Sequence, residues 1–247
     1  MNQVRAMTTI LGSCLLSLGL AVSCEVEASS AAQVPSITKM TGSQILTTTM
    51  AAATKAKSCT NISTSVSDGH TFVLHSNSGP TSGEQFLSYQ SAKSDVREVG
   101  GDVYFNENSA GLKLQFDVKN PKLANKWIEV TSSNANFANF EEGILISSVL
   151  TEIPPSGSLS TTKVEVLHGE KVIGITGKPN VTLGVSAGTE TLYVSTSTPF
   201  LPVELTVSGT SQGVADKFVV TLTNWGKSFH IQKPANPLPI SKTNLPS

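Results

Sequence analysis

Apolar side chains recur along this chain with two different periods, and the first period is helical. Between residues 43 and 57, Ile45, Leu46 and Met50 fall on one face of a 3.6-residue repeat. Ser43 precedes this run and is a residue type that caps helix N-termini well. The pattern therefore predicts an amphipathic helix over 43–57.

Most of the remaining chain alternates in short runs that are typical of β-strands. Turn-forming pairs such as Asp68-Gly69 and Gly100-Gly101 separate these runs at intervals of roughly ten residues, which indicates an antiparallel meander. The predicted strands are Asn61–Val66, Thr71–His75, Gln85–Tyr89, Asp95–Val99, Val103–Phe105, Lys126–Val130, Thr162–Leu167, Lys171–Thr176, Thr191–Ser195, Pro202–Ser208 and Phe218–Asn224.

Two stretches interrupt the strand pattern. Residues 106–125 hold Leu112 and Phe116 in a polar background, which favours short helices or a long loop. Residues 143–151 are mostly apolar and stop before a pair of prolines, which predicts a second apolar helix.

The N-terminus has the pattern of an export signal. A short start that contains Arg5 is followed by an uncharged apolar run over 6–22 and then by small residues. The uncharged run is shorter than the ~20 residues of a spanning helix and has no basic flank after it. We therefore expect a signal peptide over residues 1–23 and an extracytoplasmic location for the mature chain.

The end of this signal, Leu20-Ala21-Val22-Ser23-Cys24, resembles a bacterial lipobox, with Ala21 where leucine is usual. This predicts lipidation of Cys24, by acyl chains such as palmitate, and attachment of the protein to the cell membrane. Leu11-Gly12-Ser13-Cys14 fits the pattern more closely but comes before most of the apolar run. The alternative is ordinary secretory cleavage near Ala28 or Ala32, with Cys24 discarded.

The mature chain reads as a single domain between two less structured ends. Residues 24–39 are small and polar, which predicts a flexible tether. Residues 40–233 hold the predicted helices and strands. Residues 234–247 contain four prolines and are predicted to be extended or disordered.

Composition narrows the class of protein further. The 247 residues carry 17 basic and 18 acidic side chains, a formal net charge of -1, which argues against a protein that captures nucleic acid electrostatically. Charged residues make up only 14 %, where soluble domains average about 25 %. A surface rich in Ser, Thr and Asn suits an extracytoplasmic β-rich protein.

Several segments, taken in order, resemble actinobacterial lipoproteins of the LppX/LprG group. The segments are Val99-Gly100-Gly101-Asp102-Val103-Tyr104, Lys126-Trp127-Ile128-Glu129-Val130, Thr191-Leu192-Tyr193-Val194, Pro199-Phe200-Leu201-Pro202-Val203 and Val220-Thr221-Leu222-Thr223-Asn224-Trp225-Gly226. The resemblance implies an α+β fold in which a strongly curved antiparallel sheet, a half-barrel like that of the periplasmic lipoprotein carriers LolA and LolB, wraps around a few short helices.

The resemblance also implies an apolar cavity between the sheet and the helices, which holds acyl chains in some members. The apolar stripes of the helices must be buried against something, and the concave face of a sheet is the natural partner. The residues expected to line this cavity are Ile45, Leu46, Met50, Leu112, Phe116, Ile144, Leu145 and Val149. The alternative for each of them is a fully packed core.

Recognisable catalytic chemistry is not apparent in the sequence. His70 and His75 would point to opposite faces of one strand, which is poor geometry for a metal site. Cys59 has no cysteine partner left in the mature chain and is expected to be a small buried hydrophobe. We find no nucleophile elbow, phosphate loop or zinc-protease motif, so we expect a protein that is not an enzyme and needs no cofactor or metal.

The sequence therefore favours a lipid-anchored envelope protein that binds a lipid or another hydrophobic molecule for carriage or presentation. The alternative is an interaction module with a packed core that docks to another envelope protein. A hydrolase would need a nucleophile and a base converging in a cleft, and no pair of residues suggests one.

Overall fold

The computed structural model describes residues 36–245, except 68–69, 136, 142, 186 and 212–213. The predicted signal peptide 1–23, the predicted lipidation site Cys24 and the predicted turn at 68–69 lie outside the described residues, as does the tether before residue 36. Ile37 is only 1 % exposed, so the chain already packs into the fold three residues before the predicted start at residue 40.

The described chain consists mainly of strands, with a few short helices between them. The helices are α1 (Gly42–Ala56), α2 (Ser109–Phe116), α3 (Ala138–Glu141) and α4 (Ile146–Glu152), and 3-10 turns cover Ile37–Lys39, Val181–Leu183 and Ile240–Lys242. The strands are β1 (Cys59–Ser67), β2 (His70–Ser78), β3 (Ser82–Tyr89), β4 (Ala92–Val99), β5 (Asp102–Glu107), β6 (Trp127–Val130), β7 (Ser156–Thr161), β8 (Glu165–Leu167), β9 (Glu170–Lys178), β10 (Ala187–Ser195), β11 (Pro202–Ser211), β12 (Val214–Thr223) and β13 (Leu238–Pro239).

The 13 strands form one sheet built from two meanders. Strands β1 to β6 follow one another in space, strands β9 to β12 do the same, and the pairing of β1 with β12 joins the two halves. All pairs are antiparallel except β13 with β6. The sheet is open, with β13 at one end and β7 and β8 at the other, which confirms the predicted half-barrel class of fold.

Tight turns account for the regular meander. Gly100 and Gly101 both have positive φ, 66° and 82°, at the turn between β4 and β5. His168 and Gly169 do the same between β8 and β9, with φ of 52° and 81°. Two successive positive φ angles match the twist of the flanking strands, so these turns fix the register of each hairpin.

Helix α1 forms where the apolar period predicts it, but its cap differs from the prediction. Thr41, rather than Ser43, is the N-cap residue. Its side chain accepts a hydrogen bond from the Gln44 backbone, and the Thr41 backbone donates to Oε1 of Gln44 at 2.9 Å. This reciprocal pair of hydrogen bonds satisfies two backbone N–H groups. With the cap at Ser43, the Gln44 side chain would not be at the position from which it bonds back to the cap residue.

The apolar stretch 143–151 is not one helix. Gly143 has a φ of 73°, so the chain turns there, Ile144 lies in the turn, and Leu145 is the N-cap residue of α4. A glycine in the left-handed region separates α3 from α4 at low conformational cost. The region 106–125, predicted as short helices or a long loop, contains the helix α2, which carries both Leu112 and Phe116.

Helices α1 and α4 cover one flank of the sheet, where they build the first core. This core buries Ile45 of α1 and Val149 of α4 against β1 and β9 to β12. Its buried members are Ile37, Ile45, Cys59, Ile146, Val149, Ile153, Ile173, Ile175, Val185, Leu192, Val194, Phe200, Leu205, Val207, Phe218 and Leu222.

The second core lies at the other flank, under α2 and α3. It buries Phe105, Leu112, Leu123, Ile128, Val130, Ile240 and Leu245. Two of these residues come from the C-terminal segment 234–247, which is extended as far as β13 and then packs into the protein. The pairing of Leu238 with Ile128 leads the chain around the edge of the sheet, which places Ile240 and Leu245 in this core.

The sequence pattern missed β7 and the two-residue strand β13. Strand β7 (Ser156–Thr161) lies at the edge of the sheet, and its two half-buried residues, Ser156 and Leu159, are three positions apart, so it lacks the period-two alternation of a half-buried strand. Within the described residues, no helix is long and apolar enough to cross a membrane.

Candidate functional site

The register of the strands decides which side chains face the helices. We call the face that carries Cys59, Phe105 and Leu192 the inner face, because the helices pack against these residues in the two cores. Side chains alternate between faces along a strand, and directly paired residues share a face. Where the register is regular, the pairs therefore assign a strand residue whose side chain is described to the inner or the outer face.

Four apolar residues of β2 and β3 lie on the inner face between the two cores. Ser63, which shares a face with Cys59, pairs with Leu74, and Leu74 pairs with Leu87. Two residues away on each strand, and therefore on the same face, Phe72 pairs with Tyr89, and their ring centroids are 6.4 Å apart. We call Phe72, Leu74, Leu87 and Tyr89 the central strip.

The central strip is only partly covered. All four residues are half-buried, and none of them belongs to either core of the described chain. The main helix contacts explain this, since α1 lies against β7 and β9, whereas α2 lies against β4 and β5. The middle of the concave face therefore presents apolar side chains that protein packing does not bury completely.

A polar patch adjoins the strip on the same face. Asn61 pairs with Ser76, and Cys59 pairs with Ser78, so all four lie on the inner face. The hydroxyls of Ser76 and Ser78 are fully buried, and neither has a hydrogen-bond partner among the described residues. Most buried polar groups in proteins are hydrogen-bonded, so two neighbouring buried hydroxyls without a partner are unusual.

A cluster of aromatic residues lies on the inner face at the second core, beyond β4 from the strip. Phe105 of β5 lies 5.3 Å from Phe116 of α2 and 5.6 Å from Phe140 of α3, measured between ring centroids. Phe116 and Phe140 are half-buried, whereas Phe105 is 2 % exposed. This cluster of rings makes the inner face apolar and well packed at the second core.

The eight residues predicted to line a cavity divide between packed and half-buried positions. Ile45, Leu112 and Ile144 are fully buried and Val149 is 5 % exposed, which is the packed-core alternative for these four. Leu46, Met50, Phe116 and Leu145 are half-buried.

The structure also separates these eight residues in space. Ile45, Leu46, Met50 and Val149 belong to the first core or pack against it, and Leu112 and Phe116 belong to the second or pack against it. The prediction placed the candidate residues on helices alone and missed the strand side of the concave face. The period-two alternation of Phe72 with Leu74 and of Leu87 with Tyr89 was the signal that could have identified it.

Three buried glutamates also face inward. Glu98 and Glu107 lie on the inner face of β4 and β5, and Glu190 lies on that of β10. Burial raises the pKa of Glu107 to about 8, although Ser94 donates a 2.6 Å hydrogen bond to one carboxyl oxygen. Removing a carboxyl group from water disfavours its charged form, so Glu107 takes up a proton near neutral pH.

Burial also raises the pKa values of the other two glutamates, Glu190 and Glu98, but their neighbouring groups differ. Burial raises the pKa of Glu190 to about 7, against an opposing 2.6 Å hydrogen bond from the Asn180 backbone. Burial, together with the negative charge of Glu141, raises the pKa of Glu98 to about 7. One oxygen of each of the three carboxyl groups lacks a hydrogen-bond partner within the described residues.

Among the side chains that the structure describes, His75, His168 and Cys59 do not converge on a site. His75 faces outward beside Phe86, with ring centroids 6.2 Å apart, and His168 pairs with Glu204 at 2.7 Å. Burial raises the pKa of Cys59 to about 12, so its thiol stays protonated. No group of three or more potential metal ligands occurs in the part of the chain that the structure describes.

The comparisons with known proteins support the fold. No family model matches the chain, and no curated protein matches its sequence. Among solved structures, LprF from Mycobacterium bovis matches with a TM-score of 0.50 and 13% sequence identity, over 79% of this chain and 97% of that chain.

A DUF1329 family protein from Desulfovibrio piger ATCC 29098 matches with a TM-score of 0.28 and 9% identity, over 74% of this chain and 90% of that chain. That similarity is too low to carry an argument. The chain therefore has the fold of LprF, which confirms, at the level of the fold, the resemblance to the LppX/LprG group.

Proposed function

We propose that this protein is an envelope lipoprotein that binds the acyl chains of a lipid against its central strip, for carriage or presentation. The observation that carries the proposal is the half-buried state of Phe72, Leu74, Leu87 and Tyr89 on the concave face. Concave, largely apolar surfaces with a few polar groups are the usual form of sites for hydrophobic ligands. The fold shared with LprF supports the same proposal.

Burial of the strip would provide the driving force for binding. Each Å² of apolar surface removed from water contributes about 25 cal/mol, so covering four large side chains would favour a ligand by several kcal/mol. No cofactor, metal or catalytic step is part of this function.

We propose that Cys24 holds the mature protein at the extracytoplasmic face of the cell membrane through its acyl chains. Stable anchoring requires more than one chain, which a lipidated N-terminal cysteine would provide. Membrane fractionation of the wild-type protein and of Cys24→Ser tests this in a bacterial host that processes lipoproteins. Recovery of both proteins in the same soluble fraction would contradict the anchor, without bearing on ligand binding.

The binding proposal is tested by native mass spectrometry of residues 36–247 after export, followed by solvent extraction. We expect a stoichiometric adduct that extracts as a lipid. Leu87→Gln should remove it, because the polar side chain would lie in the strip. Phe86→Gln is the matched control, since Phe86 is the preceding residue of β3 and faces outward with 38 % exposure. Equal loss in both variants, or no uptake of added lipid by the wild-type protein, would contradict the proposal.

One observation favours the alternative of an interaction module. Ile62 and Phe86 flank His75 in one row across the outer face, and they are 39 % and 38 % exposed. Exposed apolar residues of this size can mark a protein interface. A clean apo mass, together with a protein cross-linked at Ile62 or Phe86 in the native envelope, would favour this second function.

A further inference from the structure

The C-terminal chain crosses the outer face of the sheet before it pairs at the edge. We call residues 227–239 the strap. The Arg97 guanidinium of β4 donates to the Gln232 carbonyl at 3.4 Å, and Lys233 donates to Glu129 of β6 at 2.8 Å. Tyr104 is held between these contacts, with Nζ of Lys233 5.1 Å from its ring centroid. The strap is therefore fixed on the outer face of β4 to β6.

An open cleft of about 340 Å³ lies between the strap and the start of β6. Its lining residues are Asn125, Lys126, Trp127, Ala235, Asn236 and Leu238. The position of Trp127 opposite Asn106 places its indole on the outer face, away from the central strip. The cleft is thus separate from the site of the proposed function.

The indole in this cleft is held in a fixed orientation. The guanidinium of Arg97 lies 4.6 Å from the centroid of the Trp127 ring, and the same guanidinium is tied to Asp95 at 3.3 Å. A cation against an aromatic face and a second tie to a carboxylate both restrict the ring. The half-buried indole therefore offers the cleft a preorganised apolar surface.

Hydrogen-bonding groups stand on both sides of this surface. The side chains of Asn125 and Asn236 are exposed, and neither has a hydrogen-bond partner within the described residues. Both asparagines have left-handed backbones, with φ of 58° and 51°. An amide side chain both donates and accepts hydrogen bonds, and the Lys126 ammonium adds further donors.

We propose that this cleft binds a saccharide. A sugar ring has an apolar face of C–H groups that can lie on an indole and a rim of hydroxyls that match amide and ammonium groups. The open shape of the cleft fits a ring or chain end rather than a buried acyl chain. Glu129, two residues from Trp127, is paired with Lys233 and does not line the cleft. A phosphate would use the Lys126 ammonium but not the apolar indole, whereas a neutral sugar would use both.

The test uses the two tryptophans as internal reporters. Trp127 lines the cleft, whereas the indole of Trp225 donates to the Pro202 carbonyl at 2.8 Å and lies outside it. In ¹H–¹⁵N spectra of residues 36–247, millimolar neutral oligosaccharide should shift the indole signal of Trp127 and leave that of Trp225 in place. Inorganic phosphate should shift neither signal.

Asparagine-to-glycine variants identify the groups that bind. Glycine keeps the left-handed backbone, so Asn125→Gly and Asn236→Gly should each weaken saccharide binding about fivefold to tenfold without unfolding the protein. Asn244→Gly is the matched control, since Asn244 is exposed, has a φ of 56° and lies outside the cleft. Equal effects of all three variants, a response to phosphate alone, or no shift of Trp127 with any saccharide would overturn the proposal.

Discussion

Leu192 and Phe105 lie on the inner face at its two flanks and are buried under helices, whereas Leu74 and Leu87 lie on the same face at its centre and stay half-buried. The residue types are alike, so apolar character does not explain the difference. It follows from the placement of the helices, which lie against β4, β5, β7 and β9. The flanks hold the sheet together, and the centre keeps apolar surface that a ligand can cover.

The largest expected effect is a core truncation at the second flank. Leu112→Ala should lower the free energy of unfolding by about 2–5 kcal/mol, because Leu112 is completely buried and its loss leaves a cavity. Urea denaturation followed by circular dichroism measures this. A cost for Leu112→Ala no greater than that of Leu74→Ala would contradict the distinction between flank and centre.

A smaller effect is expected where the chain between α3 and α4 crosses β3. A Cβ at Gly83 would lie 2.3 Å from the Ile144 carbonyl oxygen, so Gly83→Ala forces the backbone of residues 143–146 away from the sheet. Overpacking of this kind costs about 1–3 kcal/mol. Thermal unfolding of Gly83→Ala beside the exposed control Ser88→Ala measures the effect, and equal midpoints would contradict this close approach.

The buried glutamates predict a dependence on pH. The pKa of Glu107 is raised to about 8 in the folded protein, whereas an unfolded glutamate has a pKa of about 4.3. The folded state therefore binds the proton more tightly. Stability is highest below the unfolded pKa, falls as pH rises and levels off above the folded pKa. Glu98 and Glu190, each with a pKa of about 7, act in the same direction.

Urea denaturation of the wild-type protein at several pH values should therefore show decreasing stability between about pH 5 and pH 8. Glu107→Gln should flatten this dependence, since the amide cannot ionise. Glu170→Gln, at an exposed position at the start of β9, serves as the control. If Glu107→Gln leaves the pH dependence of stability unchanged, that dependence arises from other groups and the prediction for Glu107 is wrong.

The smallest effect on stability is expected in the central strip. Leu87→Gln should change the free energy of unfolding by less than about 1 kcal/mol, since a half-buried side chain loses little packing when it becomes polar. The same change should remove lipid uptake. A large loss of stability would show that Leu87 is a core residue and that the strip is not an open surface.

Different parts of the fold were predictable to different degrees. The helix at 43–57 and most strands followed from local periodicity, because one buried face imposes a period on the sequence. Strand β7 was missed because its half-buried residues, Ser156 and Leu159, are three positions apart and do not follow the period of two. The turn at Gly143 was missed because an apolar run is compatible with one buried helix and also with two helices joined by a buried turn.

For the candidate site, the sequence predicted the type of surface but not the residues that form it. An apolar surface between helices and sheet was expected, but the predicted lining residues Ile45, Leu112, Ile144 and Val149 are packed. Sequence shows that a residue is apolar and not how completely its neighbours cover it. The packing of Ile240 and Leu245 also depended on contacts distant in sequence, since the strap reaches the second core only after passing the edge of the sheet.

By itself the sequence determined the class of fold, the strand alternation and the hairpin turns, because these depend on neighbours within a few residues. Only the tertiary structure decided which apolar residues are fully buried and which remain half-buried. It also decided that Ser76 and Ser78 lie unpaired beside the strip, and that Asn125 and Asn236 meet at one cleft. The physical reason is that burial and hydrogen-bond satisfaction depend on every element packed around a residue, wherever that element lies in the chain.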